Sequence, residues 1–238
     1  MTGHQRINLV GAETNMWRAL VPAVVAAYLV GSIPFGVIIA RTHGKDLRAI
    51  GSGNIGATNV ARALGRKWGY ICFGLDVLKG LLPMLAFRVI VLPHIATTIH
   101  GPALMASWLL VGMAAILGHI FPVYLGFRGG KGVATSFGVA LGLWPYFTIC
   151  ALIALAVWIA VVLIWRYISL ASICAAVVFP VSLILGILAT PAWDSANLWP
   201  LLVAATLIPL LVIVRHRENI QRLLAGTESK IRPRHLTS

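Results

Sequence analysis

The sequence predicts an all-α fold: a polytopic integral membrane helical bundle of seven transmembrane helices, with the amino terminus outside and the carboxyl terminus cytoplasmic. Three observations carry this expectation. Hydrophobic residues make up 59% of the 238-residue chain and charged residues only 11%, with a mean hydropathy of +0.91, whereas charged residues are about 25% of an ordinary soluble domain. The apolar residues fall in long runs of about 20, the length a helix needs to cross a bilayer. The basic residues fall in short clusters between those runs.

Five runs of spanning length lie at 19–40, 69–92, 103–124, 170–189 and 198–214. From 133 to 165 there is no charged residue, and a single helix of that length would extend about 50 Å against a hydrocarbon core of about 30 Å. Two short spans fit better. The break is expected at Trp144-Pro145-Tyr146, where proline interrupts a helix and the aromatic rings suit the headgroup layer. Residues 1–18 form a polar tail, and the apolar run behind them is too long for a signal-peptide core, so the first span is expected to stay.

With seven spans, the segments around 44–67, 126–132, Arg166 and 215–238 share one membrane face. Together with Arg41 at the inner end of the first span they hold 15 of the 19 Lys and Arg residues. The loops around 93–102 and 191–197 hold none, so the positive-inside rule makes the basic face cytoplasmic and the location a cell (inner) membrane. The net charge of +13 is scattered between spans rather than gathered on a soluble domain, which argues against nucleic acid as a partner. Anionic membrane lipid and phosphorylated substrates fit it better. Cys72, Cys150 and Cys174 lie in apolar runs without metal-ligand spacing. No metal, cofactor or obligate protein partner is expected, and no linker or repeat divides the chain, so 1–238 reads as a single membrane-embedded domain.

Three polar segments carry candidate chemistry. The first, GSIPFG (31–36) followed by residues 44–67, is dense in glycine, hydroxyl and amide groups. Gly51, Gly53 and Gly56 match G-x-G-x-x-G, but no strand precedes them, which excludes a dinucleotide-binding βαβ unit. Two readings remain. One is a tight turn with a basic flank; the other is an anion site in which Gly51, Gly53, Asn54 and Gly56 let backbone N–H groups approach an oxyanion. In the second reading a helix beginning near Thr58 or Asn59 offers its positive end, and Ser52 and Arg62 complete the site.

The second segment, GHIFPVYLGFRGGKGVAT (118–135), sets Arg128, Gly129, Gly130, Lys131 and Gly132 directly before an apolar helix. It is not a Walker A loop, since Lys131 is followed by glycine, but Lys131 at a helix amino terminus suits a second phosphate clamp. His119 fits a helix-end histidine bonded to backbone as well as it fits catalysis. The third segment, 215–234, has Ile220, Leu223 and Leu224 on one side of an expected interfacial helix. It brings His216, Glu218 and Asn219 to the membrane exit, where groups that orient a hydroxyl are useful. Within the spans, Asp76 and Lys79 are spaced to neutralise each other, Ser169 fits a helix N-cap, and Gly138 and Gly142 form a packing patch.

SGNIGATNVAR, GHIFPVYLGFRGGKGVAT, ISLASI and HRENIQRLLAGTESK, in this order at the inner ends of the required spans, resemble the acyl-phosphate:glycerol-3-phosphate acyltransferase family, the PlsY type. The resemblance covers nearly the whole chain. It implies transfer of a fatty acyl group from acyl phosphate to the 1-hydroxyl of sn-glycerol 3-phosphate, giving lysophosphatidic acid and phosphate in bacterial phospholipid synthesis. By resemblance, Ser52 and Arg62 fall where the family binds phosphate, and Lys131, Ser169, His216 and Asn219 at its other catalytic or substrate-binding positions, with Glu228 among the contacts. No histidine here begins the H-x-x-x-x-D box of other glycerolipid acyltransferases. The rival classes are a transporter for a phosphorylated metabolite, against which the spans carry too few polar residues for a path, and a polybasic membrane scaffold, which leaves the serine, asparagine and histidine positions unused.

Overall fold

The computed structural model describes residues 3–96 and 99–231, with 3–16 described by backbone alone. The first two residues of the polar tail, 97–98 of the loop at 93–102, and 232–238 of the basic carboxyl-terminal segment lie outside the described residues. Among the described residues the regular structure is helical.

Eleven α-helices follow in order: α1 (Gly3–Ser32), α2 (Phe35–Thr42), α3 (Ala57–Leu64), α4 (Arg66–Ala86), α5 (Leu92–Ile95), α6 (Gly101–Ile120), α7 (Val133–Gly142), α8 (Tyr146–Trp165), α9 (Ile168–Ala189), α10 (Ser195–Arg215) and α11 (Arg217–Leu224). The breaks sit where the backbone demands them. Pro34 stands between α1 and α2, Gly65 at φ +93° between α3 and α4, and Pro145 before α8. α1 starts at Gly3, so the polar tail is helical from that residue instead of a simple extension before the first span. The helix of the second span is displaced toward the chain start relative to 69–92, and a π-helical turn, Phe87–Val91, leads it into α5.

Five helical stretches are long and apolar enough to cross a membrane: Trp17–Thr42, Gly101–Leu125, Tyr146–Trp165, Ile168–Ala189 and Ser195–Arg215. They match five of the seven expected spans. α4, which carries Asp76 and Lys79, is not among them, and α7 is a ten-residue apolar helix that rises only about 15 Å.

Close backbone packing accounts for the fit of these two. α4 lies along α7, and α1 along α6. A Cβ on Gly138 would collide with the Val77 carbonyl, and one on Gly142 with the Met84 side chain, so the expected small-residue patch is a helix contact between α7 and α4. The core between α1, α4, α6, α7, α8 and α10 is filled by Met84, Phe87, Ile116, Ile120, Leu143, Phe147 and Leu201, all 0–1% exposed. The outside of the bundle is apolar instead of polar, with Val89 72%, Leu163 74% and Leu188 78% exposed. A surface of that kind suits hydrocarbon, not water.

Candidate active site

The three polar segments converge on one end of the bundle. Arg48 Nη2 donates to the Arg128 carbonyl at 3.3 Å, bridging the first segment to the second. Arg215 Nη2 donates to the carbonyls of Gly129 and Gly130 at 3.4 and 3.2 Å, bridging the third to the second. Ser169 Oγ donates to Glu228 Oε1 at 2.8 Å, tying the start of α9 to the carboxyl-terminal tail.

In the first segment, Gly51 and Gly53 take positive φ (+59° and +66°), a conformation that side chains with a Cβ resist. The loop they make is locked from within. Asn59, 1% exposed, donates from Nδ2 to the carbonyls of Leu47 and Ile50 at 3.0 and 2.9 Å, and its Oδ1 accepts the Ser52 N–H at 3.2 Å. Asn54 Oδ1 accepts the Gly56 N–H at 2.9 Å. Asn59 and Asn54 are thus committed to shaping the loop, while Ser52 and Arg62 stay exposed. α3 begins at Ala57 on Gly56, with Thr58 in its first turn and no side-chain cap, which leaves first-turn N–H groups for an anion.

In the second segment the glycine loop at 128–132 is held by the end of α6 and by arginines of the other two segments. Gly129 and Gly130 donate their N–H groups to the carbonyls of Ile120 and His119, each at 3.1 Å. A Cβ on Gly129 would collide with the His119 carbonyl, and one on Gly130 with the His119 ring, so glycine is required for the loop to lie this close to the end of α6. Arg128 is exposed. Gly132, at φ +85°, starts α7, again without a side-chain cap. Between them Lys131 points to the third segment, where its Nζ donates to Asn219 Oδ1.

α11 gives the third segment its order, but it ends at Leu224 instead of running to 234, because Gly226 turns the chain back at φ +69°. Leu224 lies 85% exposed, while Ile220 and Leu223 are half-buried. The returning tail brings Glu228 to Asn219 Nδ2 (2.7 Å), Arg222 Nε (2.7 Å) and Ser169 Oγ. Its carboxylate therefore serves the protein's own donors. The tail is fixed further by the Ile231 N–H on the Arg166 carbonyl at 2.8 Å and by Lys230 over the Tyr167 ring. Ser169 is not the N-cap of its helix; Tyr167 is, and the Ser169 hydroxyl is spent on Glu228.

Electrostatics set the charge states. Burial above all, with Arg222 and Arg62 adding to it and the Glu228 and Glu218 carboxylates opposing it, brings the Lys131 ammonium down to about 8. It is charged at neutral pH. Burial also lowers His216 to about 4, with Lys131 adding to the effect, so its imidazole is neutral. His216 Nδ1 sits 2.7 Å from the Val212 carbonyl, which makes Nδ1 the protonated nitrogen and Nε2 the acceptor. Burial works to raise Glu228, but hydrogen bonds from Arg222, Asn219 and Ser169 outweigh it and hold the carboxyl below its ordinary range.

Of the residues expected from sequence, Arg62, Lys131, Ser169, His216, Asn219 and Glu228 are thus joined by bonds or by charge, and Ser52 is tied in through its backbone. Arg48, Arg215 and Arg222 were not expected; their basic clusters showed in sequence, their long-range partners did not. Among the described residues no group of His, Cys, Asp and Glu could hold a metal ion.

Known proteins place this geometry. The family model for glycerol-3-phosphate acyltransferase matches residues 21–226. The glycerol-3-phosphate acyltransferase of Trichlorobacter lovleyi is 46% identical over 209 residues, covering 88% of this chain and 96% of its own. That of Aquifex aeolicus is 46% identical over 209 residues, covering 87% and 96%. The crystal structure of PlsY, an integral membrane glycerol 3-phosphate acyltransferase, in its glycerol 3-phosphate form is similar at a TM-score of 0.75 and 41% identity, covering 90% of this chain and 96% of that one. Its lysophosphatidic acid form matches at 0.72 and 40%, covering 90% and 95%. The chain is an all-α, multi-pass integral membrane protein, and it belongs to the glycerol-3-phosphate acyltransferase family.

Proposed function

We propose that this chain makes lysophosphatidic acid by transferring a fatty acyl group from acyl phosphate to the 1-hydroxyl of sn-glycerol 3-phosphate, at a site on the cytoplasmic face of a seven-span bundle. The single observation that carries the reading is the meeting of Lys131, Arg62, Asn219, His216 and the two uncapped helix starts at one end of an apolar bundle. Two anions and a hydroxyl are what such a set recognises.

The hydroxyl oxygen of glycerol 3-phosphate attacks the acyl carbonyl carbon, the bond from that carbon to the phosphate oxygen breaks, and inorganic phosphate departs. Acyl phosphate brings its own good leaving group, so the protein's work is to hold two anions together and stabilise charge at the acyl carbon. Arg62 and Lys131 hold phosphates, helped by the N–H groups at the starts of α3 and α7 and by Ser52. His216 and Asn219 orient the glycerol backbone. A histidine held near 4 is a hydrogen-bond acceptor at neutral pH, not a proton store, so the hydroxyl proton leaves with the phosphate. Ser169 and Glu228 act by fixing Asn219.

Seven spans are supported by the convergence itself. If the segments at 44–62, 126–132, 166–169 and 216–231 meet at one end, the chain makes a return trip between each successive pair: α4 with α6, α7 with α8, α9 with α10. α1 adds the seventh crossing, with α7 as the half-length outward arm. The basic bias of that end makes it cytoplasmic.

Purified protein in detergent or lipid, given acyl phosphate and glycerol 3-phosphate, should release phosphate and form lysophosphatidic acid. Absence of glycerol-3-phosphate-dependent release would sink the assignment. Faster transfer from acyl-CoA or an acyl carrier protein than from acyl phosphate would overturn the donor alone.

A further inference from the structure

Asp76, Lys79 and His119 lie 3%, 3% and 4% exposed inside the apolar bundle, and none of them has a role in the site assigned above. Lys79 Nζ is 2.8 Å from Asp76 Oδ1, as the sequence spacing foretold. His119 joins them: its Nδ1 faces the same Asp76 oxygen at 3.7 Å and has no hydrogen-bond partner. Buried ion pairs of this kind contribute little net stability, since taking the charges out of water offsets their attraction, and intramembrane ionisable groups are costly. Stability is therefore a poor account of why three of them meet.

Their outer contacts supply a better one. At one end of the chain of groups, Lys79 Nζ donates to the Ile33 carbonyl at 2.8 Å, in the break between α1 and α2. Three residues on, Gly36 presses on the first anion-binding segment, because a Cβ there would collide with the Ile55 carbonyl. At the other end, the His119 ring fills the space left by the missing Cβ of Gly130, and the His119 carbonyl receives the Gly130 N–H. Lys131 follows directly. Ile33, Lys79, Asp76, His119 and Gly130 thus form one column of neighbours, joined in turn by a hydrogen bond, an ion pair, a 3.7 Å approach and a packing contact. It links the support of the first glycine-rich segment to the backbone of the second.

We infer that the Lys79–Asp76–His119 column is a positioning device for the phosphate clamp: it sets where the Gly129–Gly130–Lys131 loop lies relative to the first segment, without touching substrate. Asp76 Oδ1 faces the imidazole at Nδ1, and the ring in turn packs where a Gly130 Cβ would lie and so fixes the height of the Gly130 backbone above α6. This rests on the assignment of Lys131 to phosphate binding.

The test is a set of double variants assayed with acyl phosphate and glycerol 3-phosphate, with thermal unfolding followed in the same detergent. His119→Ala should lower kcat/KM on the order of 100-fold, the scale of a clamp displaced by about 1 Å, raising KM for glycerol 3-phosphate as well as lowering kcat, with the melting transition retained. His119→Gln, which keeps a donor and much of the volume, should recover a large part of that loss. In a Lys131→Ala background His119→Ala should cost less than about threefold more, because the group it positions is gone. Gly130→Ala should cripple the protein, and adding His119→Ala should cost nothing further, because the collision has been removed. Near-normal turnover of a folded His119→Ala protein overturns the inference. So does an equal loss with and without Lys131, or failure of both His119→Ala and His119→Gln to fold, which would make the ring a stability element. If Lys131→Ala itself turns over normally, it is the clamp assignment that fails.

Discussion

The two glycine-rich segments look alike in sequence and are built in opposite ways. The segment around 51–62 supports itself: Asn59, from inside the same segment, binds two carbonyls and one N–H of the loop ahead of it. The segment around 128–132 is supported by others. His119 and Ile120 take its N–H groups, and Arg48 and Arg215 take its carbonyls. A self-supported loop can present Ser52 and Arg62 with its shape fixed. A borrowed loop holds Lys131 only as well as three other elements are placed, which couples the clamp to the packing of the bundle.

The largest effect should come from the group the borrowed loop presents. Lys131→Ala should lower kcat by about 10²–10³, the cost of one donor that stabilises transition-state charge, measured as phosphate release. The charge also sets a pH limb. Lys131 is lowered to about 8 and is protonated below that value, so kcat/KM should fall as pH rises through about 8. Lys131→Arg should move this limb out of range, since guanidinium keeps its proton. An unchanged alkaline limb in the Arg variant would show that another group titrates.

A middle-sized effect should separate the two segments. Asn59→Ala leaves the Ser52 N–H without its partner and takes one of two hydrogen bonds from each of the Leu47 and Ile50 carbonyls, which keep the Ile50 and Gly53 N–H groups, at a cost on the order of 2 kcal/mol. Hydrogen exchange should rise over 47–53 and not over 128–132, while the alkaline limb stays near its place. Exposure of both loops together would mean the first segment is not self-supported.

The smallest effect should come from one of several outside supports. Arg48→Ala removes a single 3.3 Å bond to the Arg128 carbonyl, worth about 1 kcal/mol, and Arg215 still holds the neighbouring carbonyls. Turnover should drop by less than about threefold. A loss as deep as that of Lys131→Ala would assign Arg48 to substrate.

The same contrast explains what sequence could reveal. The breaks at Pro145 and Gly132 were legible because proline interrupts a helix and glycine alone takes positive φ freely; the break at Pro34 was not, since 19–40 read as one apolar run. A packing patch on α7 was legible in the spacing of Gly138 and Gly142, though not that α4 fills it, and the Asp76–Lys79 pair in its three-residue separation. Local chemistry also marked Lys131 and the neighbourhood of His216. What could not be read was pairing across tens of residues: Arg215 on Gly129 and Gly130, Ser169 on Glu228, His119 on Gly130. Ser169 looked like a cap because its position favours one, and 215–234 looked like one interfacial helix because Ile220, Leu223 and Leu224 share a side at helical spacing. Both readings gave way to the tail, whose turn at Gly226 is a tertiary fact.

The central claim is that every polar segment meets on one membrane face, and cysteine accessibility in sealed membranes tests it most directly. The native thiols Cys72 and Cys150 are buried and Cys174 half-buried, so a variant with these removed offers a quiet background. Single cysteines at Ser52, Phe127 and Leu224 should react with a membrane-impermeant maleimide only in inside-out vesicles, and one at Ser195 only in right-side-out cells. Labelling of Ser52, Phe127 and Leu224 from different sides would contradict the account.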